Sequence, residues 1–264
     1  MSFALPSTER CTVATESADL SVRDFDRLYR STATPVVIRN ATLNSSASFR
    51  ARTSIPNLVD SVGDALVTLS SANAFSYGRI KMTVSQYLSE ALGERAQAAW
   101  AAAADDDDAA ADMYYWFGEH GKELAALIAS YPLPRYASPS ARLSFAAVAS
   151  SGGADEAADG LSHPPALSFG VGPDGSGVPF HFHNDGFSEV MHGSKYWLLY
   201  QEKPPRFREN ATSVSWLRHD YPRLSRHERP LECRIWPGDL LYFPKGWWHA
   251  IVNVGETVFM STFL

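Results

Sequence analysis

The strongest constraint on the fold is a series of short, β-rich segments in the last third of the chain. Each is rich in branched or aromatic residues and ends at glycine, proline or polar residues. The segments are Leu167–Gly170, Val178–His183, Phe187–Met191, Tyr196–Tyr200, Glu232–Trp236, Leu240–Phe243, His249–Val254 and Thr257–Phe263. Short strands at this density are typical of a jelly roll or closed barrel. The sequence therefore predicts a mainly β fold, a double-stranded β-helix, over residues 167–264.

The preceding part of the chain, residues 1–166, reads as helical and loop-rich. Asp24–Tyr29 predicts a short helix, and Thr34–Arg39 predicts an edge strand of the barrel, because it is β-branched and its proline stands at the start. Thr83–Leu92 has helical spacing, with Thr83 or Ser85 as its N-cap. We predict that this part and the barrel core form one integrated domain.

Two stretches of biased composition interrupt this part. Trp100–Asp112 contains four consecutive aspartates, whose mutual repulsion predicts a solvated insert and not a binding surface. Ala146–Ser162 is rich in Ala, Ser, Gly and Asp and predicts a mobile loop.

Charge and hydropathy exclude several classes of partner. The formal net charge is −6, and the basic residues are scattered, so nucleic-acid binding is not favoured. No apolar run reaches the length of a membrane span, and no secretory signal is visible, which predicts a soluble, cytoplasmic protein by default. Three sequons, at Asn40, Asn44 and Asn210, favour the alternative of a lumenal location. Nothing in the sequence indicates an oligomeric state.

The two cysteines, Cys11 and Cys233, lie far apart and form no metal-binding spacing. We expect two free thiols, with a single disulfide as the alternative.

Three histidines carry the chemistry. His181 and His183 alternate within one predicted strand, so both side chains project from the same face. His249 follows a Pro-x-Gly turn and opens the next strand, which predicts a third imidazole at the same mouth. Neutral imidazoles suit Fe, Zn, Cu or Ni. The remaining histidines lie in other contexts and are interpreted as surface or structural residues.

These motifs resemble those of the jumonji-C (cupin-like) family of 2-oxoglutarate oxygenases. The similarity rests on Val178–His181, on Gly193–Trp197 and on Pro237–His249. Gly238–Asn253 also matches the second cupin motif, Gly-x5-Pro-x-Gly-x2-His-x3-Asn, at every fixed position.

The resemblance implies an Fe(II)- and 2-oxoglutarate-dependent dioxygenase that hydroxylates a protein or a small molecule. By position, His181 is the first metal ligand, His249 the distal ligand, and Lys195 the anchor for the distal carboxylate of 2-oxoglutarate. It also makes the lumen of the endoplasmic reticulum an alternative location.

One departure from the family pattern keeps alternatives open. His183 occupies the carboxylate position of His-x-Asp/Glu, so the site would hold three neutral histidines. In a shifted register, His183 and Asp185 would form the pair instead. Without the usual carboxylate, the chain could be a catalytically silent adaptor, or a three-histidine metalloenzyme that does not use 2-oxoglutarate.

Overall fold

A computed structural model describes residues 10–71, 78–91, 114–137, 165–209 and 211–264. The predicted inserts Trp100–Asp112 and Ala146–Ser162 lie outside these ranges. The strands are β1 Ala14–Glu16, β2 Val36–Ile38, β3 Leu66–Ser71, β4 Arg79–Thr83, β5 Tyr114–His120, β6 Ala166–Gly172, β7 Gly186–Tyr200, β8 Leu231–Ile235, β9 Leu240–Phe243 and β10 Trp248–Phe263. The helices are α1 Val22–Phe25, continued by a π-helical turn Asp26–Arg30, α2 Ala47–Arg52, α3 Ile55–Val62, α4 Val84–Ala91, α5 Lys122–Ala129 and α6 Ser213–His219; Tyr221–Arg223 and Arg226–Glu228 are short 3₁₀ turns.

The fold is mainly β, as predicted, and its strands form one mixed sheet. Their order is β1-β2-β9-β7-β10-β6-β5-β3-β4, and β8 pairs with β7. All pairings between these strands are antiparallel except β1 with β2. Strands of the N-terminal part therefore continue the sheet at both of its ends. The predicted edge strand is present as β2, but its edge position was wrong, because β1 pairs with it on the side opposite β9. Strands β1, β3, β4 and β5 were not predicted.

Two long strands, β7 and β10, form the frame of the barrel. The sequence predicted four short strands here, divided near Gly193 and Gly255. Both glycines have positive φ, 74° and 73°, and the pairing of β7 with β10 shifts register between Val254 and Val258 without ending. A Cβ on Gly193 would meet the Glu256 carbonyl oxygen at 2.2 Å. These glycines therefore make a bulge that bends two continuous strands.

The bend brings the two halves of β7 face to face. Val190 from the first half and Trp197 from the second belong to one buried cluster, which also contains Leu241, Phe243 and Ile251. This cluster fills the interior of the barrel. Because side chains alternate along a strand, the opposite faces are apolar as well, and they pack against the helices and loops outside the barrel.

The segment Val178–His183 is not the regular strand that was predicted. It runs irregularly beside β10: the N–H groups of His181 and His249 each donate to the other's carbonyl at 3.1 and 2.8 Å in an isolated bridge, and the Ile251 N–H donates to the Val178 carbonyl at 2.9 Å. Pro179 lacks an N–H group, and a Cβ on Gly177 would clash with the Ile251 carbonyl oxygen at 2.1 Å. Glycine at 177 thus permits the close approach to β10, whereas the missing N–H group of Pro179 interrupts the ladder; the bridge fixes His181 opposite His249.

The helix predicted at Thr83–Leu92 is present as α4. Its N-terminus is a capping box: the Gln86 N–H donates to Thr83 Oγ1 at 3.2 Å, and the Thr83 N–H donates to Gln86 Oε1 at 3.1 Å. Among the described residues, no helix combines the length and apolar character needed to cross a bilayer.

The expectation of two free thiols is wrong, because Cys11 and Cys233 form a disulfide across 222 residues of sequence. The segment before β1 lies beside β8: the Thr12 N–H donates to the Glu232 carbonyl at 2.8 Å, and the Glu232 N–H donates to Thr12 Oγ1 at 2.9 Å. This contact places the two sulfurs together, and no local spacing in the sequence signals it.

Replacing Cys11 by Ser is expected to lower the free energy of unfolding by about 2–5 kcal/mol, because the bond restricts the unfolded chain over a long loop. Urea unfolding under non-reducing conditions measures this. The parent treated with reductant serves as the control and should unfold near the variant's midpoint. Equal midpoints for the variant and the oxidised parent would show that the bond contributes nothing.

Candidate metal centre

His181, His183 and His249 converge at one mouth of the barrel. Their candidate ligand atoms all lie within 4.8 Å of one another, and the ring centroids of His181 and His249 are 4.3 Å apart. His249 is buried, with 2% exposure, while the other two are half-buried. β10 holds His249, the bridge holds His181 beside it, and the Gly246 N–H donates to the His183 carbonyl at 3.0 Å. The predicted clustering is thus what the structure contains.

Each imidazole is oriented by the same type of hydrogen bond. The Nδ1 atoms lie 2.7 Å from the Pro179 carbonyl oxygen for His181, 2.6 Å from that of Asn184 for His183, and 2.9 Å from that of Trp247 for His249. A carbonyl oxygen only accepts, so every Nδ1 carries the proton. The lone pair of each neutral ring is therefore on Nε2. A backbone carbonyl on the second nitrogen is the usual partner of a metal-ligating histidine.

The spacing of the Nε2 atoms fits a shared cation. His183 Nε2 and His249 Nε2 are 3.2 Å apart, and with both Nδ1 atoms protonated neither can donate to the other. Two lone pairs facing at this distance repel unless an electrophile lies between them. Two nitrogens bound to one ion at about 2.0–2.1 Å are themselves separated by roughly 3.0–3.4 Å. The donor set thus fits a divalent transition metal.

Burial keeps all three rings neutral. Desolvation is the main cause that lowers the pKa of His181 to about 4, and the neighbouring His183 and Lys195 act in the same direction. Desolvation also lowers the pKa of His183 and takes that of His249 well below its usual range. Neutral imidazole is the form that binds metal. The mouth therefore presents its lone pairs at neutral pH without first losing protons.

An aromatic collar accounts for this burial. Phe263 and Phe243 lie edge-on to the His183 ring, with centroids 4.9 and 5.2 Å away. The Trp197 ring lies 5.6 Å from His249. An apolar shell of this kind limits the contact of the rings with water and strengthens electrostatic interactions inside it.

No carboxylate joins the cluster in the described part of the chain. Asp185 accepts a hydrogen bond from the Tyr242 hydroxyl at 3.3 Å. Glu189 is buried on the other face of β7, because its neighbours Ser188 and Val190 point into the barrel, and it accepts from the Tyr131 hydroxyl at 2.8 Å. The first register, with His181 and His183, is the one whose side chains meet His249.

Lys195 lies inside the barrel, with 4% exposure. It is the register partner of Asn253 on β10, and its Nζ lies 3.2 Å from the centroid of the Phe259 ring. No ion pair identified among the described residues includes it. Burial accordingly lowers the pKa of Lys195 well below its usual range. A buried amine in this setting is stabilised by an anion that enters beside it.

Further polar groups, none of them predicted from the sequence, lie in the same interior. Ser188 Oγ, Trp197 Nε1 and Asn253 Oδ1 are buried and find no hydrogen-bond partner among the described residues. The amide nitrogen of Asn253 donates to Ser176 Oγ at 2.9 Å, which fixes its orientation. The alternation of side chains along a strand could have identified these groups. It places Lys195 and Trp197 on one face of β7, and His249 and Asn253 on one face of β10. Unpaired buried polar atoms cost free energy unless a ligand or water satisfies them.

Comparison with known proteins agrees with this architecture. The model of the cupin-like domain family matches residues 22–263. The chain belongs to this cupin-like (JmjC) family.

Particular relatives extend the similarity over the whole chain. It is 38% identical over 263 residues to JmjC domain-containing protein 8 of Homo sapiens, an alignment that spans 99% of this chain and 86% of the relative. Shorter matches reach enzymes. They include the bifunctional arginine demethylase and lysyl-hydroxylase psr-1 of Caenorhabditis briggsae, 30% identical over 38% of this chain and 30% of that protein. The 2-oxoglutarate and iron-dependent oxygenase JMJD4 of Mus musculus is 31% identical over 33% of this chain and 23% of its own length.

Proposed function

We propose that this chain is an Fe(II)- and 2-oxoglutarate-dependent oxygenase that hydroxylates a protein substrate. The observation that carries the proposal is the convergence of three Nε2 lone pairs beside a buried lysine without an ion-pair partner. Either feature alone has a structural explanation. Together they provide one position for a cation and one for a dicarboxylate.

His181, His183 and His249 would hold the iron through Nε2, with ring orientations fixed by the carbonyls at Nδ1. Bound in this way, iron supplies the oxygen chemistry of the family. The protein holds three neutral rings in position before metal arrives, and the aromatic rings around them limit their contact with water. Such preorganisation lowers the cost of ordering the ligands on binding.

Lys195 would bind the distal carboxylate of 2-oxoglutarate. The anion would return the amine to its charged form, since an opposite charge nearby raises the pKa of a buried lysine. Trp197 Nε1 and Ser188 Oγ are further hydrogen-bond donors in the same interior, and neither has a partner among the described residues. Both would donate to the oxygens of a bound ligand. The interior is thus prepared for a polar ligand although its walls are aromatic.

The rim of the site favours a macromolecular substrate over a small one. Phe182, between two of the histidines, is 56% exposed and packs on Trp248 with ring centroids 5.0 Å apart. Exposed aromatics beside a reactive centre are typical anchors for a polypeptide. Demethylase and hydroxylase relatives point to the same substrate class.

A second candidate follows from His183. Three neutral histidines leave both charges of a divalent ion uncompensated, which is the ligand set of cupin metalloenzymes that do not use 2-oxoglutarate. In that case the chain would bind metal through the same three atoms but have no use for Lys195. The remaining alternative is a catalytically silent adaptor, which requires neither metal binding nor 2-oxoglutarate binding.

The disulfide supports an oxidising compartment, such as the lumen of the endoplasmic reticulum, over the cytoplasm that the sequence favoured by default. Disulfides persist where thiols are not kept reduced. Asn40 and Asn44, each the first residue of a sequon, are both exposed.

Replacing Lys195 by Met tests the role of this residue. Succinate release from 2-oxoglutarate, with iron and ascorbate present, should fall by about 10–100-fold, because a charge-assisted hydrogen bond contributes about 1.5–3 kcal/mol. Metal content should stay unchanged. Thermal stability should be equal or higher, since the variant no longer buries an amine.

The matched control is Lys81→Met, a substitution at an exposed lysine on β4, which should leave succinate release at the parent's level. Parental release from Lys195→Met would remove Lys195 from the site. Absence of release from the parent, with full metal content, would favour the second candidate or the adaptor.

A further inference from the structure

We propose that the Cys11–Cys233 disulfide is a thiol-exchange site that reacts preferentially with low-molecular-weight thiols bearing a carboxylate. Cys11 lines a cavity of about 400 Å³, whose wall also includes Arg10, Arg39, Arg234, Trp236 and Asp239. This cavity is separate from the histidine cluster, and its lining shares no residue with it.

The two sulfurs differ in access. Cys11 lines the cavity and is half-buried, whereas Cys233 has 0% exposure and lies in the interior cluster of the barrel. An incoming thiolate can therefore reach Cys11 Sγ only. This directionality matters because exchange occurs at whichever sulfur the nucleophile can approach.

Positive charge dominates the lining. The lining contains three arginines and one carboxylate, that of Asp239. Arg39 Nη1 forms an ion pair with Asp239 Oδ2 at 2.6 Å. The same carboxylate also accepts from the backbone N–H groups of Trp236 at 3.1 Å and Asn40 at 3.2 Å. Its charge is therefore shared among donors and offers little repulsion to an anion.

The remaining guanidinium groups are only partly used. Arg234 donates through Nε to Ser194 at 2.8 Å and stacks over Trp236 at 3.9 Å. Arg10 is 47% exposed and pairs through Nε with the buried Glu232 at 3.5 Å. Asp174 interacts electrostatically with Arg234, but it lies outside the lining. The terminal nitrogens of both arginines are thus candidates to bind a carboxylate of the incoming thiol.

Arg39 would assist the leaving group. Its Nη2 lies 3.2 Å from Cys233 Sγ. When a thiolate attacks Cys11, a new disulfide forms between Cys11 and the incoming sulfur, and the bond to Cys233 breaks. The electron pair of that bond remains on Cys233 Sγ as a thiolate beside the Arg39 cation. The thiol's own proton has already gone to solvent, so no further oxidant or reductant is required. Stabilising the leaving thiolate accelerates exchange.

The test compares two probes of opposite charge on the full-length oxidised protein. 3-Mercaptopropionate is anionic and cysteamine cationic; each is supplied at the same thiolate concentration in low salt. Each rate is divided by the rate of the same probe with a small uncharged disulfide, because the intrinsic nucleophilicity of a thiolate rises with the pKa of its thiol. Mixed disulfide is followed by intact mass after acid quenching, and the remaining thiol is alkylated and mapped. We expect the anionic probe to react at least about tenfold faster, with the adduct on Cys11 and the alkyl group on Cys233. Added salt should reduce the preference, because exposed charges are screened.

The variant is Arg10→Gln combined with Arg234→Gln, which avoids the more embedded Arg39. Its preference for the anionic probe should fall to about threefold or less, while Arg27→Gln, at an exposed arginine paired with Asp24, should retain the parental preference. The proposal is overturned if cysteamine reacts as fast as mercaptopropionate, if the adduct is on Cys233, if neither probe reacts, or if the double variant keeps the parental preference.

Discussion

Replacing His249 by Ala should reduce metal content from about one equivalent to under a tenth at the same free metal concentration. His249 is the most buried of the three candidate ligands, and its Nε2 lies 3.2 Å from that of His183. Losing an outer-shell partner alone costs about 10–100-fold in affinity, so losing a ligand should cost more. Elemental analysis after equilibrium dialysis against Fe(II) or Zn(II) measures the change.

A parallel melting experiment separates loss of the site from loss of the fold. Metal at 100 times its dissociation constant stabilises a folded site by about 2.7 kcal/mol, so the parent's melting temperature should rise on metal addition and the variant's should not. The matched control is His192→Ala, since the His192 ring is half-buried and bonds to the Arg50 carbonyl at 2.7 Å, away from the cluster. A folded His249→Ala protein with full metal content would refute the site.

The histidine cluster could be predicted because its signals are local. The i, i+2 spacing of His181 and His183 gives their side chains one common direction. The Pro-x-Gly turn before His249 likewise sets the start of the strand that carries this residue. The predicted strand at Val178–His183 was nevertheless wrong. An isolated bridge holds His181 beside His249, the Gly246 N–H holds the His183 carbonyl, and Nδ1 hydrogen bonds to nearby carbonyls orient both rings, so no regular ladder is involved.

The missed features depend on long-range contacts. The disulfide joins residues 222 positions apart, and only the packing of the N-terminal segment against β8 brings them together. Strands β3 and β4 lack a long apolar run, and they become strands by pairing with each other and, through β5, with the barrel. Glycines at 193 and 255 looked like strand ends because a bulge and a turn share the same residue preference.

Replacing His183 by Asp addresses the one departure from the family's ligand pattern. Three neutral imidazoles leave the full charge of a divalent ion in a poorly solvated mouth. A carboxylate compensates one unit of that charge and favours higher oxidation states of the metal. We therefore expect weak succinate release from the parent and a rise of at least about fivefold in His183→Asp, measured with iron, ascorbate and 2-oxoglutarate and no added substrate.

Asp185→Ala distinguishes the two ligand registers. If His183 and Asp185 were the ligand pair, this substitution would abolish metal binding, and so would His183→Asp. The Asp185 carboxylate instead accepts from Tyr242, and the cluster forms without it. We expect Asp185→Ala to keep the parental metal content and the parental succinate rate, with at most a small loss of stability.

Comparison of the parent, His183→Asp and Asp185→Ala distinguishes the functional alternatives. A rise in His183→Asp with an unchanged Asp185→Ala supports an oxygenase whose rate is limited by its neutral ligand set. Metal binding by all three without succinate from any would support the three-histidine enzyme or the adaptor. The Lys195→Met variant then divides the outcomes further: if His183→Asp gains activity, adding Lys195→Met to it should remove that gain, because the charged ligand and the carboxylate anchor serve the same bound 2-oxoglutarate. Retention of the gain in the double variant would mean that the dicarboxylate lies elsewhere in the barrel.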